Sequence, residues 1–397
     1  MKVLVSGMGI AGPTVAFWLA RHGIDTTLVE KAPALRTGGY IIDFWGAGYD
    51  IAERMGILPT LHDKGYRVQE VRFVDGAGRR VSGFPVSAFD TFTKGRFVSL
   101  PRGDLAATIY DALPSRVEQM FGDQIRSLED DGRAVQVDFE RAGRRAFDLV
   151  IGADGLHSDI RAMVFGEPSQ FERYLGYKVA AVELAHYPHR DELAYVMRSE
   201  VGQQVGRFTM RNDRTLVLFV FTDDDSDSVP LHDIAAQQQL LARRFGNSGW
   251  ECNDILKAVG AADALYFDRM SQVRMPRWTK GRVALVGDAA FCVSLLAGQG
   301  SALAMIAAYV LAGELAAAGG DHEKAFAAYN NRLGTFIRRK QDAALQFAGS
   351  FAPSSRLQLF VRNQVMKLLG IPFVAKVAIG RSLVDKIELP DYGHAPA

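Results

Sequence analysis

Residues 2–12 read Lys-Val-Leu-Val-Ser-Gly-Met-Gly-Ile-Ala-Gly, an apolar run followed by the pattern Gly-x-Gly-x-x-Gly. The run predicts a short buried strand, and residues 13–22 have the apolar spacing of a helix. A second apolar stretch, residues 26–29, predicts another strand, which ends at Glu30. This strand–helix–strand order predicts the first unit of an open α/β sheet.

Each glycine of the pattern has a distinct physical task. Gly7 permits a tight turn out of the strand, Gly9 lets the backbone approach a pyrophosphate, and Gly12 lets the helix pack closely on the sheet. The amides and dipole at the helix start favour phosphate charge. Glu30 lies 18 residues after Gly12, where a carboxylate can accept hydrogen bonds from ribose hydroxyls. The stretch therefore predicts a dinucleotide site.

In two later segments, a predicted buried strand is again followed by small residues and an aspartate. Residues 149–155 end in Gly-Ala-Asp-Gly, with Asp154 after the strand, and residues 282–290 contain Gly-Asp-Ala-Ala, with Asp288. Gly-Gln-Gly-Ser at 298–301 then precedes an apolar helix. Because α/β sheets bind ligands at the carboxyl ends of their strands, these segments are expected to present ligand contacts.

Composition excludes several classes of function. The chain has 397 residues, a net charge of +1 and only two cysteines, Cys252 and Cys292, so it predicts no nucleic-acid partner, no disulfide framework and a cytoplasmic location. No metal site is predicted, because the acidic residues 223–227 lack a definite ligand spacing. Residues 302–318 are apolar, but Glu314 interrupts them, so a buried helix is expected and no stable membrane insertion.

Residues 174–267 change to β-rich runs that predict an antiparallel sheet, and hence a second lobe. Phe208 with Met210, and Phe219 with Phe221, alternate along two of these strands. They are candidates to line a substrate pocket, and ordinary sheet core is the alternative interpretation. An apolar, aromatic wall would suit a planar aromatic or polyketide-like molecule.

Together the three motifs resemble the single-component FAD-dependent aromatic hydroxylases, the para-hydroxybenzoate hydroxylase family with its tetracycline-inactivating members. The resemblance covers residues 1 to about 315. It implies an α/β fold, with a Rossmann-like FAD-binding domain, an inserted mixed or antiparallel β-sheet substrate domain and C-terminal helices. The expected boundaries are 1–70, 98–172 and 275–320 for the FAD-binding domain, 71–97 and 173–274 for the substrate lobe, and 321–397 for the helical region.

The resemblance also implies which residues bind cofactors. Glu30 matches the acid at the FAD ribose, Arg102 an arginine near the pyrophosphate, and Asp288 the aspartate at the ribityl chain. Asp154 matches the middle-motif aspartate, associated with FAD and with the NAD(P)H pyrophosphate. The complete expected set is Gly7, Gly9, Ala11, Gly12, Glu30, Lys31, Arg36, Asp43, Arg102, Asp154, Asp288, Gly298, Gly300 and Ser301.

The chain departs from the family pattern beside the third motif. Phe291 stands where relatives often have histidine, and residues 293–296 lack the proline that is common there. Phe291 and Leu296 are therefore further candidates for the substrate pocket beside the flavin. Arg36 and Asp43 fall, in a looser alignment, where tetracycline-inactivating relatives place flavin-proximal residues.

The implied function is an NAD(P)H-consuming monooxygenase that uses FAD and O2 to hydroxylate an aromatic or polyketide-like small molecule through a flavin hydroperoxide. The cofactor does this chemistry, so no catalytic acid or base is nominated, and the enzyme is expected to be a monomer or homodimer. The alternatives are a flavin-dependent oxidoreductase without oxygen insertion and a non-catalytic, redox-responsive flavoprotein. A halogenase is disfavoured, because the four tryptophans are scattered and form no Trp-x-Trp-x-Ile-Pro run.

The motif architecture makes a direct prediction about the purified protein. It should be yellow and should release FAD, and not FMN, on denaturation, because the glycine turn and Glu30 are suited to the adenosine half of a dinucleotide. Chromatography of the released flavin checks this. Recovery of FMN alone, or of apoprotein that cannot rebind FAD, would contradict the assignment.

Overall fold

The computed structural model describes residues 1–35, 38–89, 93–223, 229–230, 233–295, 298–369 and 387–393. The strands are β1 (Lys2–Ser6), β2 (Asp25–Glu30), β3 (Ile41–Trp45), β4 (Glu70–Val74), β5 (Arg80–Pro85), β6 (Phe97–Pro101), β7 (Glu118–Phe121), β8 (Ile125–Asp130), β9 (Val135–Phe139), β10 (Arg144–Phe147), β11 (Leu149–Gly152), β12 (Glu172–Ala185), β13 (Ala194–Glu200), β14 (Gln203–Met210), β15 (Arg214–Thr222), β16 (Tyr266–Val273), β17 (Thr279–Lys280) and β18 (Val283–Leu285).

The α-helices alternate with these strands in the first half of the chain and dominate its end. They are α1 (Ala11–Arg21), α2 (Ala47–Arg54), α3 (Leu58–Lys64), α4 (Arg102–Asp111), α5 (Asp159–Val164), α6 (Ile234–Phe245), α7 (Cys252–Gly260), α8 (Asp288–Phe291), α9 (Gly300–Ala317), α10 (His322–Phe351) and α11 (Arg356–Leu368).

The first sheet is the mostly parallel sheet of the predicted α/β fold. Its strand order is β17-β18-β11-β1-β2-β7, and only β17 pairs antiparallel. The central strand β1 is buried at Val3, Leu4 and Val5, where it contacts helix α1 and strand β10 of a separate three-stranded sheet, β10-β9-β8. The predicted β1–α1–β2 unit is present with these strands paired in parallel.

Helix α9 forms the centre of the core beneath this sheet. It is long and apolar enough to cross a membrane by length and composition alone, but 78% of it is buried inside the protein. Trp18 of α1 packs edge-on against Tyr309 of α9, with ring centroids 4.9 Å apart. The apolar stretch 302–318 is therefore the buried helix that was expected.

The second sheet has the order β16-β12-β15-β14-β13-β4-β5. Its neighbours pair antiparallel, except that β4 pairs in parallel with β13, so the sheet is mixed. Helices α6 and α7 cover one face, where Leu241, Phe245 and Ile255 are buried. The opposite face is turned toward the first sheet. The predicted fold class is confirmed by this arrangement together with the C-terminal helices α10 and α11.

A substitution at Gly12 tests how closely α1 must approach the turn after β1. A Cβ atom at this position would lie 1.8 Å from the carbonyl oxygen of Gly7, so Gly12→Ala must displace the helix. We expect a destabilisation on the order of 2 kcal/mol, measured as a lower Tm, with loss of cofactor binding. The matched control is Gly260→Ala at the end of α7, where nothing lies within 4 Å of the added atom. An unchanged Tm for Gly12→Ala would contradict the packing.

Candidate active site

A single cavity of about 1000 Å³ lies between the two sheets. One end is lined by the glycine turn at Gly7 and Gly9, and the other by apolar side chains of the second sheet, including Phe208 and Leu218. The polar end thus carries the predicted dinucleotide motifs, and the apolar end carries part of the predicted substrate wall.

The three motifs meet because the strands that precede them are neighbours. β11 pairs in parallel with β1 on one side and with β18 on the other. Gly7, Asp154 and Asp288 follow the carboxyl ends of these strands and all line the cavity. Segments almost 300 residues apart in the chain are thereby brought to one edge of the sheet, as the rule for α/β folds requires.

The glycine turn forms a cradle for an anionic group. Gly7 has φ +106°, a conformation that favours glycine, and a Cβ there would lie 2.5 Å from the carbonyl oxygen of Ala153. A Cβ on Gly9 would point toward Arg102, 3.5 Å from a guanidinium nitrogen. Gly9, Arg102 and the start of α1 at Ala11 lie side by side on the cavity wall, and together they present backbone, a cation and a helix N-terminus. This combination therefore fits the pyrophosphate of FAD.

Glu30 is held in place at the end of β2. Its carboxylate accepts hydrogen bonds from the backbone N–H groups of Met8 and Ala32, at 2.8 and 2.9 Å. These bonds tie the acid to the glycine turn, and the residue lines the cavity. Each carboxylate oxygen keeps a further lone pair, so the group fits the role of accepting hydrogen bonds from a ribose.

The Asp154 side chain accepts hydrogen bonds from residues at the N-terminus of α5. It accepts hydrogen bonds from the Ser158 hydroxyl at 2.6 Å and from the Ile160 N–H at 3.1 Å, and desolvation raises its pKa. Its direct bonds therefore shape the turn after β11, while the residue also lines the cavity. Lys31 lies nearby, its ammonium 3.9 Å from Asp159, with 55% of its side chain exposed.

Asp288 begins α8 and points into the cavity. Desolvation raises the pKa of its carboxyl, and the positive charge of Arg102 partly opposes the shift. Tyr40 lies in the same electrostatic environment, where burial raises its pKa to about 12. Burial also keeps the pKa of the Cys292 thiol well above its usual value, and the charge of Asp288 adds to that shift. In such buried surroundings, a hydrogen bond donated by a hydroxyl of a bound ligand would stabilise the charged carboxylate.

The third motif, at residues 298–301, contributes backbone atoms and the N-terminus of α9 to the cavity. Gly298 has φ +63° with open space around its α-carbon, and Gly300 and Ser301 form the first residues of α9. All three line the cavity, where the N-terminus of α9 favours negative charge. Arg36 and Leu296, which were expected at the site, lie outside the described residues.

Strand register decides which side chains form the apolar end. Phe208 pairs with Leu216, and Gly206 pairs with Leu218, so these residues share one face of the sheet. That face lines the cavity, and Val220 and Met270 extend it. The Phe208 ring lies 4.8 Å from that of Tyr195 and meets Tyr66 edge-on at 5.2 Å.

Four of the expected substrate-pocket residues do not line the cavity. Phe219 and Phe221 point to the opposite face, where their rings lie 5.0 and 5.9 Å from that of Phe245, the last residue of α6. Met210 is buried in a small cluster with Tyr66. Phe291 packs in the main core with its ring 4.8 Å from that of Trp278. These four are corrected to core residues. Gly12 likewise contacts the Gly7 carbonyl rather than the cavity.

The structure adds polar residues that sequence reasoning did not assign to the site. Tyr195 and Asp268 line the cavity from β13 and β16. Asp268 lies 3.2 Å from Nε2 of His157, and this hydrogen bond raises the pKa of the imidazole. Tyr266 faces Tyr40, with ring centroids 5.9 Å apart. Alternation along β16 places Tyr266 and Asp268 on one face of that strand. Only the pairing of the strands in the sheet shows that this face, like the face of β13 that carries Tyr195, borders the cavity.

Asp43, which was expected at the site, also lines the cavity. Its Oδ1 accepts hydrogen bonds from the Ser99 hydroxyl at 2.6 Å and from the Tyr195 hydroxyl at 3.2 Å. The second of these bonds joins β3 to the second sheet.

Three comparisons bear on this site. The FAD-binding-domain family matches residues 1–339. An uncharacterized protein of Mycobacterium tuberculosis is 41% identical over 349 residues, covering 85% of this chain and 91% of that protein. A flavin-dependent monooxygenase from an unknown prokaryotic organism is 36% identical over 402 residues, covering 98% and 99%. The crystal structure of tetracycline destructase Tet(55) matches with a TM-score of 0.83 and 34% identity, covering 98% of each chain.

Asp288 provides a test of the polar end. Asp288→Ala should weaken FAD retention, because a buried hydrogen bond left unmade costs about 1–3 kcal/mol. The measurement is the dissociation constant of FAD from deflavinated protein. Asp254→Ala is the control, since that carboxylate pairs with His189 on the far side of the second sheet. Equal FAD affinity in the Asp288 variant and the wild type would remove Asp288 from the cofactor site.

Proposed function

The chain belongs to the family of flavin-dependent monooxygenases built on an FAD-binding domain, and from that premise we propose that it inserts one oxygen atom of O2 into a fused-ring aromatic or polyketide-like small molecule. The predicted family, enzyme class and FAD cofactor are confirmed. The observation that supports the substrate class is the single cavity, which joins the dinucleotide cradle to an apolar wall.

When bound, FAD supplies the redox chemistry, accepting hydride from NAD(P)H and activating O2. The residues of the chain bind the cofactor and orient it with the substrate. Arg102 and the start of α1 would hold the pyrophosphate, Glu30 would accept hydrogen bonds from the ribose, and Asp288 would accept them from the sugar-chain hydroxyls, since all of them line the cavity. The first turn of α9, at Gly300, favours negative charge at its end of the cavity. The apolar wall keeps water away from the reacting atoms.

The apolar wall supports a planar, multi-ring substrate. Leu216, Leu218 and Val220 share one face of β15 and line the cavity, and Met270 extends this apolar surface. Such a surface is suited to stacking a rigid ring system, with a few polar groups to orient it. The structural relative Tet(55) is a tetracycline destructase, which is consistent with a polycyclic substrate, and tetracycline belongs in the first substrate panel.

Product analysis tests the proposal against its alternatives. Holoenzyme is incubated with NADH or NADPH, isotopically labelled O2 and a panel of fused-ring phenols and polyketides. A monooxygenase gives a product heavier by one labelled oxygen atom. Oxidation of NAD(P)H without oxygen in the product would indicate an oxidoreductase that does not insert oxygen. No oxidation of NAD(P)H with any compound would indicate a non-catalytic flavoprotein.

Several finer expectations belong to the same proposal. We propose a cytoplasmic monomer or homodimer without stable membrane insertion, with the FAD-binding domain at residues 1–70, 98–172 and 275–320. The pairing of β12 with β15 and β16, and of β4 with β13, supports a substrate lobe at residues 71–97 and 173–274. Size determination in solution and limited proteolysis address the oligomeric state and the boundaries.

The two faces of the second sheet allow a matched prediction. Phe208→Leu should raise the fraction of NAD(P)H oxidised to hydrogen peroxide, because a poorly filled pocket misplaces the substrate and admits water. Phe219→Leu makes the same change on the face covered by α6 and should leave that fraction at the wild-type value, although Tm falls. Peroxide and product are quantified together. Equal coupling in both variants would move the pocket away from this face.

A further inference from the structure

Helix α11 turns a stripe of large apolar side chains toward solvent. Among the described residues nine large apolar side chains are exposed, and five of them lie on this one helix, so the exposure is concentrated there. Their exposed fractions run from 40% to 71%, and they are Leu357, Phe360, Val361, Val365 and Leu368. Steps of three and four residues relate them, so all five share one face, the apolar stripe of α11. A contiguous exposed apolar stripe indicates an interaction surface.

The opposite side of α11 is anchored by a buried cation. Arg362 is only 8% exposed, and its guanidinium donates to the Ser199 hydroxyl at 3.1 Å and to Gln204 Oε1 at 3.3 Å. It also lies over the Phe73 ring, 4.5 Å from the centroid. A buried charge is costly unless it is hydrogen-bonded in this way. These contacts therefore fix the rotation of the helix, with its cation inward and its apolar stripe outward.

Positive charge borders the stripe, and the helix carries no acid. The sequence of α11 includes Arg356, Arg362 and Lys367 but neither Asp nor Glu. Arg356 and Lys367 are exposed and stand eleven residues apart, about three helical turns, so they lie along the same edge of the stripe. An apolar face with cations along its edge is complementary to an anionic lipid surface. The apolar side chains enter the acyl boundary, and the cations meet the headgroups.

The length of the helix limits how it can meet a bilayer. α11 has 13 residues, whereas a helix that spans the hydrocarbon core needs about 20. A helix of this length, apolar on one face only, lies in the plane of the interface. The expected contact is therefore peripheral and reversible, in keeping with a protein that is not stably inserted.

A second copy of the chain is less complementary to the stripe than a lipid surface. In an antiparallel two-fold pair the same edges of the two helices meet. Arg356 of one copy would then face Lys367 of the other, and α11 has no acid to offset the repulsion. The charge pattern favours lipid as the occupant.

The same helix also borders the cavity. Met366 on its inner side and Leu369 at its C-cap line the cavity, and Leu369 is buried in a small cluster with Phe84. Leu368, the residue before this C-cap, belongs to the exposed stripe. The outer surface and the cavity are thus separated by the width of one helix, roughly 10 Å.

We propose that α11 is a membrane-docking helix. Its apolar stripe enters the headgroup region of an anionic bilayer, and Arg356 and Lys367 contact the lipid phosphates. This inference goes beyond the proposed function and does not depend on it, because binding to lipid is measured without substrate. Docking in this orientation brings the cavity close to a phase in which fused-ring compounds dissolve.

Flotation of the FAD-loaded, full-length enzyme with lipid vesicles tests the proposal. Vesicles of equal parts phosphatidylglycerol and phosphatidylcholine are compared with vesicles of phosphatidylcholine alone. The enzyme should partition about tenfold more strongly to the anionic vesicles, because the two exposed cations gain from the negative surface potential. High salt should remove this preference by screening the charges.

Variants separate the apolar contribution from the ionic one. Phe360→Ser should weaken partition at least about tenfold, because the ring no longer leaves water on docking. Leu368→Ser should weaken it severalfold. Met163→Ser removes a similarly exposed apolar side chain from α5 and should bind like the wild type. The double variant Arg356→Gln/Lys367→Gln should keep the affinity for phosphatidylcholine and lose the preference for anionic vesicles.

The free Phe360→Ser protein should keep the wild-type Tm and molar mass, because the ring is mostly exposed. No flotation of the wild type, or flotation that Phe360→Ser leaves unchanged, overturns the proposal. Equal partition to both kinds of vesicle overturns the anionic surface as the partner. Without vesicle binding, a dimer that Phe360→Ser dissociates would assign the stripe to a second copy. A lower Tm of Phe360→Ser without vesicle binding would assign it to packing within the chain.

Discussion

Parallel hydrogen bonding between β1, β11 and β18 is the constraint on which the site depends. β1 carries the glycine turn, β11 precedes Asp154 and β18 precedes Asp288, and the three are adjacent in one sheet. Parallel strands end at the same edge, so each turn delivers its polar group to the same cavity. A change of order among these strands would leave every motif intact and separate the groups that must act together.

Close backbone approach is the second requirement, and it explains why small residues recur at this edge. Gly12 touches the carbonyl of Gly7, and a Cβ on Gly287 would lie 3.0 Å from that of Ala11. Helices α1 and α9 are thereby drawn against the turns that they follow, so their N-termini border the cavity. Helix α9 packs against α1, and 78% of this apolar helix is buried in the core.

The second sheet shows where sequence reasoning reaches its limit. Alternation correctly placed Phe219 with Phe221 on one face, but nothing in a single strand says which face a helix covers. The pairing of Phe208 with Leu216 and the contact of Phe219 with Phe245, the last residue of α6, decide that question. Phe208 consequently borders the cavity while Phe219 is core. Tyr195 was missed for the same reason, since its partner Asp43 lies 152 residues away.

The sequence by itself determined the chemistry of the polar end, because the glycine turn and the strand-end aspartates are local patterns whose spacing depends on backbone geometry within a few residues. It also determined the α/β class through strand and helix periodicity. Only the tertiary structure decided the other end of the cavity. There the apolar wall, the Asp43–Tyr195 contact and the burial of Phe291 depend on register and on packing between segments far apart in the chain. Such contacts cannot be recognised in the local sequence. An apolar residue of suitable size fits its own strand equally well whichever face of the sheet it occupies.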